Sequence, residues 1–221
     1  MSAVTPLAAG RGTTRERIVS QLRDQIVDGS LSPGLPLRTE EFMKRLGVSS
    51  SPLREAFVQL EAEGLVTVSP NRGAAVTLLT RQDSTDLLQV ASLLWDAVTR
   101  WTIPVLDRNT ATPLRRAAGD FALAMRSGDV PGAVLESERF QEALLLNCWS
   151  TELVRSVQAI WSRQRRLQRA LASMETLDAR LDFHEEVLAA AGTSEVNAAV
   201  EALRNVWQSL QSAAASIPAQ R

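Results

Sequence analysis

Apolar residues recur along the first 78 positions with a helical period that later gives way to short alternating runs. Ile18, Leu22 and Ile26 repeat every four residues behind Thr13-Thr14-Arg15-Glu16, which has the form of a capping box with Thr13 as N-cap and Glu16 reaching back. Asp28-Gly29 ends this helix, and Pro33, Gly34 and Pro36 keep the following turn from continuing as helix. A second helix is expected with Thr39 as its cap, Phe42, Met43 and Leu46 facing the core, and Gly47 closing it. Leu53, Ala56, Phe57 and Leu60 then fall at i, i+3, i+4 and i+7, the one-sided stripe of a third helix from about Ser51 to Ala62. Ser49, Ser50 and Ser51 supply N-cap chemistry, Pro52 suits the first turn, and Gly64 is a left-handed stop. Leu65 to Ser69 and Ala75 to Leu78 are β-prone runs flanking Pro70-Asn71-Arg72-Gly73, which predicts a hairpin.

Beyond Thr80 only helical patterns remain. Leu87, Leu88, Ala91, Leu94, Trp95 and Val98 share a face of a helix from Arg81 to Ile103, limited by Pro104. Further helices are expected from Thr112-Pro113 to Ser127-Gly128, from a cap at Asp129 to about Leu146, from Glu152 to Ser173, from Leu177 to Ala191 and from Glu195 to about Ala215. The predicted fold is mainly α: a helix-helix-helix-hairpin unit, then an all-α bundle of six to seven helices. The divisions are an arm at 1–12, a first domain at 13–79, a helical domain at 80–216 and a tail at 217–221.

Composition narrows what this arrangement can do. With 221 residues and 45% hydrophobic content the chain can bury a substantial core, so disorder is not expected. The net charge of -1 removes any global basic signature, and residues 11–80 hold nine Lys and Arg against eight Asp and Glu. Any nucleic-acid footprint must therefore come from local placement. The opening turn of the third helix offers small hydroxyls and Arg54, suited to phosphate and base-edge contacts, although a structural helix could carry them as solvated surface. In a helix-helix-helix-hairpin order the third helix can enter the major groove while Arg72 at the hairpin tip reaches phosphate or the minor groove. The single cysteine, Cys148, reads as a small buried hydrophobe in a reducing compartment. No apolar run approaches a membrane span and no signal peptide is visible, so a cytoplasmic location is expected.

The run PGLPLRTEEFMKRLGVSSSPLREAFVQLEAEGLVTVSPNRGAAV resembles the winged helix-turn-helix of GntR-type bacterial transcription regulators, over about residues 13–78. This resemblance implies a double-stranded DNA operator, palindromic and bound by a homodimer, with Arg38, Lys44, Ser49, Ser50, Ser51, Arg54, Arg72 and Gly73 as the DNA-binding residues. The family commonly places further arginines where this chain has Glu40 and Ser50, so specificity is either relaxed or carried by Ser49, Ser51, Arg38 and Arg72 beside Arg54. The second half, through GDVPGAVLESERFQEALL and FHEEVLAAAGTSEVNAAVEAL, resembles the FCD effector-binding domain of the fatty-acid-regulator branch.

Many such domains hold a divalent metal through an aspartate and three histidines. The matching positions here are Ser137, Gln141, His184 and Val206, which keep one ligand of four, so no metal and no cofactor is expected. Glu136 or Glu138 could substitute only from a different angle. An arginine and a glutamate of the family pocket are replaced by Ser92 and Asp96, so the resemblance implies a pocket without its usual cation. The expected effector is a more neutral or bulkier small molecule contacted by Ser92, Ser137, Gln141 and His184, near Asp96 and Val206, or else the pocket is no longer used. His184 is the only histidine and has no nucleophile or metal partner in the sequence, so an enzyme is not expected. Glu185, Glu186 and the run Arg163, Arg165, Arg166 and Arg169 read as solvated helix faces. Two functions fit: a ligand-responsive repressor, or an all-α small-molecule-binding or protein-interaction module whose DNA-binding domain is degenerate.

Overall fold

A computed structural model describes residues 12–69 and 73–217. Its contacts divide the chain into two compact units, one of Met1–Leu79 with Trp161–Ala170, the other of Thr80–Ile160 with Leu171–Arg221. The described residues are mainly helical, as the periodicity predicts.

The first unit contains α1 (Thr14–Val27), β1 (Pro36–Leu37), α2 (Thr39–Leu46), α3 (Ser50–Ala62), β2 (Val66–Ser69) and β3 (Gly73–Val76). The capping box of α1 is present: Glu16 N–H donates to Thr13 Oγ1 at 3.2 Å, and Thr13 N–H donates to Glu16 Oε2 at 2.8 Å. Ile18, Leu22 and Ile26 of α1 and Leu53, Ala56 and Leu60 of α3 are fully buried in one core. Phe42 of α2 meets Phe57 of α3 edge-on, with ring centroids 6.5 Å apart. Burying each such large apolar side chain contributes about 1.5–3 kcal/mol, so this stripe holds the helices together. Arg23 clamps α1 to the end of α3 by donating from Nε and Nη2 to the two Glu63 carboxylate oxygens, at 2.7 and 2.6 Å.

The hairpin β2–β3 pairs Val66 with Val76 and Ser69 with Gly73. A third strand, which the sequence pattern does not predict, joins the hairpin: β1 pairs with β3, so the order is β1-β3-β2. Pro36 is tolerated there because β1 lies at the sheet edge, where a missing N–H breaks no ladder. Two caps also differ from expectation. Thr39 is the first residue of α2, and Arg38 caps by backbone only; Ser49 likewise caps α3 without a side-chain bond.

The second unit contains α4 (Arg81–Thr102), α5 (Ala111–Ser127), α6 (Val130–Leu146), the first part of α7 (Thr151–Ala170), α8 (Met174–Ala190) and α9 (Asn197–Ala215). Helix α4 gives way to a single 3-10 turn, Ile103–Val105, where Pro104 removes a helical donor. Asp129 caps α6 by accepting from Gly132 N–H at 3.0 Å, and Ser173 and Thr176 cap α8. Helix α8 packs against α9, α5 and α6, while α4 packs against α9 and α6. Trp95, Phe121, Phe140, Phe183 and Leu210 fill the interior.

Two surface expectations need correction. Cys148 is half-buried rather than buried. The arginine run is not a solvated face: Arg166 is buried and donates from Nη2 to the Thr77 carbonyl at 2.6 Å. Arg163 is half-buried, its Cδ set where a Cβ on Gly64 would approach within 2.8 Å. These residues belong to the α7 segment that clusters with the first unit, a grouping local charge patterning cannot reveal.

Candidate nucleic-acid interface and buried polar cluster

The buried stripe of α3 leaves Ser51, Arg54, Glu55 and Val58 exposed on the opposite face. The 3.6-residue period makes this division automatic, because positions one turn apart share a side. Arg54 makes no ion pair among the described residues, so its guanidinium is not committed to a neighbour. Ser51 donates its hydroxyl to Glu55 Oε1 at 3.0 Å, orienting that carboxylate along the face. Ser49 is exposed and its hydroxyl makes no cap bond, which leaves it available at the α3 N-terminus beside half-buried Ser50.

Arg38 and Lys44 are exposed at the start and near the end of α2. Gly73 opens β3 with φ +73, a left-handed conformation that favours glycine. Arg72 lies outside the described residues. The Leu46–Gly47–Val48 turn joins α2 to α3, with Gly47 at φ +68 and its N–H donating to Met43 O at 3.0 Å. Two helices joined by this short turn, followed by a hairpin, define the winged helix-turn-helix class.

In the second unit Ser137, Gln141, His184 and Val206 are all buried. Ser137 and Gln141 lie one turn apart on α6, and His184 stacks on the intervening Phe140 at 3.9 Å between centroids. Phe121 of α5 closes on the same imidazole edge-on at 4.7 Å. Ser92 and Asp96 sit differently: both are half-buried, Ser92 donating to Gln89 O at 2.7 Å and Asp96 accepting from Arg100 Nε at 2.8 Å.

Sequence patterning does not single out Arg180. It lies one turn before His184 on α8, is fully buried, and donates from Nη1 to Ser137 Oγ at 2.5 Å. Its Nε, Gln141 Oε1 and His184 Nδ1 are buried without hydrogen-bond partners among the described residues. Burial holds the Arg180 guanidinium down to about 10, against the opposing pull of Glu138, so it remains a cation at neutral pH. Burial, with the Arg180 charge adding to it, pushes His184 down to about 3, so the imidazole is neutral at pH 7. The i, i+4 spacing of Arg180 and His184 was the available signal.

Comparison with known proteins agrees with this architecture. Residues 14–76 match the gntR family of bacterial regulatory proteins, and residues 86–209 match the FCD domain. The chain belongs to the GntR family, in the branch that carries an FCD domain. It is 26% identical over 197 residues to the HTH-type transcriptional repressor GlaR of Escherichia coli K12, covering 83% of this chain and 87% of that one. It is 27% identical over 127 residues to the HTH-type transcriptional regulator YdhC of Bacillus subtilis 168, where the match spans 57% of each chain. A GntR-type regulator structure from Rhodococcus sp. RHA1 shares the fold, with a TM-score of 0.76 at 22% identity over 94% of this chain and 99% of that one. Among the described residues no helix is long and apolar enough to cross a membrane.

Proposed function

We propose that this protein is a ligand-responsive transcription repressor that binds a palindromic DNA operator as a homodimer. The observation that carries the reading is the exposed face of α3, with Arg54 uncommitted and Ser49 and Ser51 at its entrance. A recognition helix presents such groups to base edges in the major groove, while exposed cations such as Arg38 and Lys44 set its position on phosphates. The repressor sense is supported by the similarity to GlaR, which is named a repressor.

The homodimer is supported by α4, on which Val90, Leu93, Ala97 and Trp101 form one outward stripe of apolar side chains; Leu93 is 73% exposed and Trp101 42%. Trp101 stacks on Trp149, itself 66% exposed, extending the apolar surface. A contiguous exposed patch of this kind on a soluble unit marks an association surface. The effector enters through the second unit, whose buried polar cluster needs partners. Binding there would shift the population between DNA-competent and DNA-incompetent arrangements.

Gel shift with the DNA upstream of the chain's own gene tests the reading, comparing wild type with Arg54→Ala. A specific shift that Arg54→Ala abolishes is expected. No shift in either protein at low salt would favour an all-α binding module with a degenerate DNA-binding domain.

A further inference from the structure

The end of α7, Trp161–Ala170, belongs to the first unit rather than to the helical one. Gln164, Arg166, Leu167 and Gln168 are buried there, and Arg163 and Arg166 lie three positions apart, on neighbouring turns of one helix face. Both arginines meet the same corner of the fold. Arg163 lies against Gly64, which follows α3 with a left-handed φ of +71; its Cδ is 2.8 Å from the place a Cβ would occupy. Arg166 donates from Nη2 to Thr77 O at 2.6 Å, just past the end of β3. Thr77 N–H donates in turn to Leu65 O at 3.0 Å, and Leu65 N–H to Leu60 O at 2.9 Å. Three hydrogen bonds in series therefore tie one buried guanidinium to the end of the hairpin and to the last turn of α3.

An apolar side chain would fill this space without the cost of burying a charge, so packing alone does not explain an arginine here. Burial holds the Arg166 guanidinium down to about 10, so it remains a cation at neutral pH. A charged donor binds a carbonyl more strongly than a neutral one, which makes this the firm end of the series.

We propose that Arg166, assisted by Arg163, is a positioning residue for DNA reading: from the α7 segment it fixes the corner at which α3 passes into the hairpin, and so the angle at which the two meet the duplex. This rests on the reading of α3 and the hairpin as the DNA-contacting elements. Arg166 is buried and touches no DNA itself. A helix in the major groove and a hairpin beside it must engage together, so a shift at their corner misaligns one against the other while every contacting side chain is kept. Gly64 serves the same corner, because a side chain there would displace Arg163 as well as strain the backbone.

The test uses the full chain, its upstream duplex and a scrambled duplex of equal length, comparing wild type with Arg166→Met, Arg166→Lys and Ile18→Val. Hydrogen exchange without DNA should show the Leu65 and Thr77 amides of Arg166→Met exchanging about fivefold faster or more, with the Leu22 and Ile26 amides of α1 unchanged. Fluorescence anisotropy should show Arg166→Met about fivefold weaker or more on the upstream duplex, and within about twofold of wild type on the scrambled one. Arg166→Lys keeps a charged donor and should recover most of that loss. Ile18→Val loosens the core of the same unit without touching the corner, so its affinity for the upstream duplex should match wild type. If Arg166→Met does not fold, Arg163→Ala replaces it, with about a threefold loss or more expected on the upstream duplex alone. Unchanged exchange, equal losses on both duplexes, or a loss in Ile18→Val matching that in Arg166→Met overturns the proposal. Wild type and Arg166→Met binding the upstream duplex equally well overturns it and leaves the DNA-binding reading intact. Wild type that does not prefer the upstream duplex to the scrambled one removes that reading and the proposal with it.

Discussion

Arg54 and Arg180 carry the same guanidinium into opposite surroundings. Arg54 is exposed with no ion pair among the described residues, and a bidentate arginine-guanine contact carries about 1–3 kcal/mol of discrimination. Arg54→Ala should therefore weaken specific binding about tenfold to a hundredfold while leaving non-specific, salt-sensitive binding nearly unchanged, as measured by fluorescence anisotropy on operator and scrambled duplexes. Arg54 is legible in the sequence because it sits opposite an apolar stripe. Arg180 is not: its partner Ser137 is 43 positions away, and a charged residue on a helix is ordinarily a surface residue.

His184 yields a pH prediction. The unfolded chain protonates this imidazole near 6.5, the folded chain only near 3, so between those values the unfolded state binds the additional proton and stability falls as pH drops. At pH 7 the group is neutral in both states and contributes no pH dependence. Guanidinium denaturation at pH 7 and pH 5 should show wild type losing about 2 kcal/mol more than His184→Phe over that interval. Equal losses in the two proteins would place His184 in contact with water.

The helices and hairpin are legible because each carries its own start, stripe and stop. Thr13 with Glu16 opens α1, Asp129 opens α6, and Gly47, Gly64 and Gly128 take the left-handed φ that ends a helix. Gly47→Ala and Gly64→Ala should each cost about 1–2 kcal/mol, since both positions have positive φ and a Cβ is strained there; thermal denaturation measures it. What the sequence hides is long-range pairing. Strand β1 is two residues long and exists only because β3 lies beside it. Arg166 looks solvated until the Thr77 carbonyl, 89 positions away, is brought to it. Arg23→Ala should cost about 1 kcal/mol by releasing Glu63 from α1, without altering the exposed face of α3.

The chain as a whole has a net charge of -1, so no general attraction carries it to DNA. Affinity must come from a few placed groups. In the proposed homodimer two copies of α3, set in symmetric half-sites, would double those contacts. If the proposed homodimer forms through the exposed α4 stripe, Leu93→Glu should run as a monomer in multi-angle light scattering where wild type runs as a dimer, and should lose tenfold or more in operator affinity with its thermal stability retained. The two-part organisation is visible in the sequence because strand patterns stop at residue 78 and helical ones begin at 81. The buried polar cluster of Ser137, Gln141, Arg180 and His184 is not visible there, because folding alone brings α6 and α8 together.

Hydroxyl-radical footprinting of the purified full chain on its own upstream DNA distinguishes paired half-site binding from any other mode. Two protected half-sites related by a two-fold axis, with centres about one helical turn or a whole multiple of it apart, are expected, and they should disappear together in Arg54→Ala. Protection of a single unpaired segment, or protection unchanged by Arg54→Ala, would contradict it.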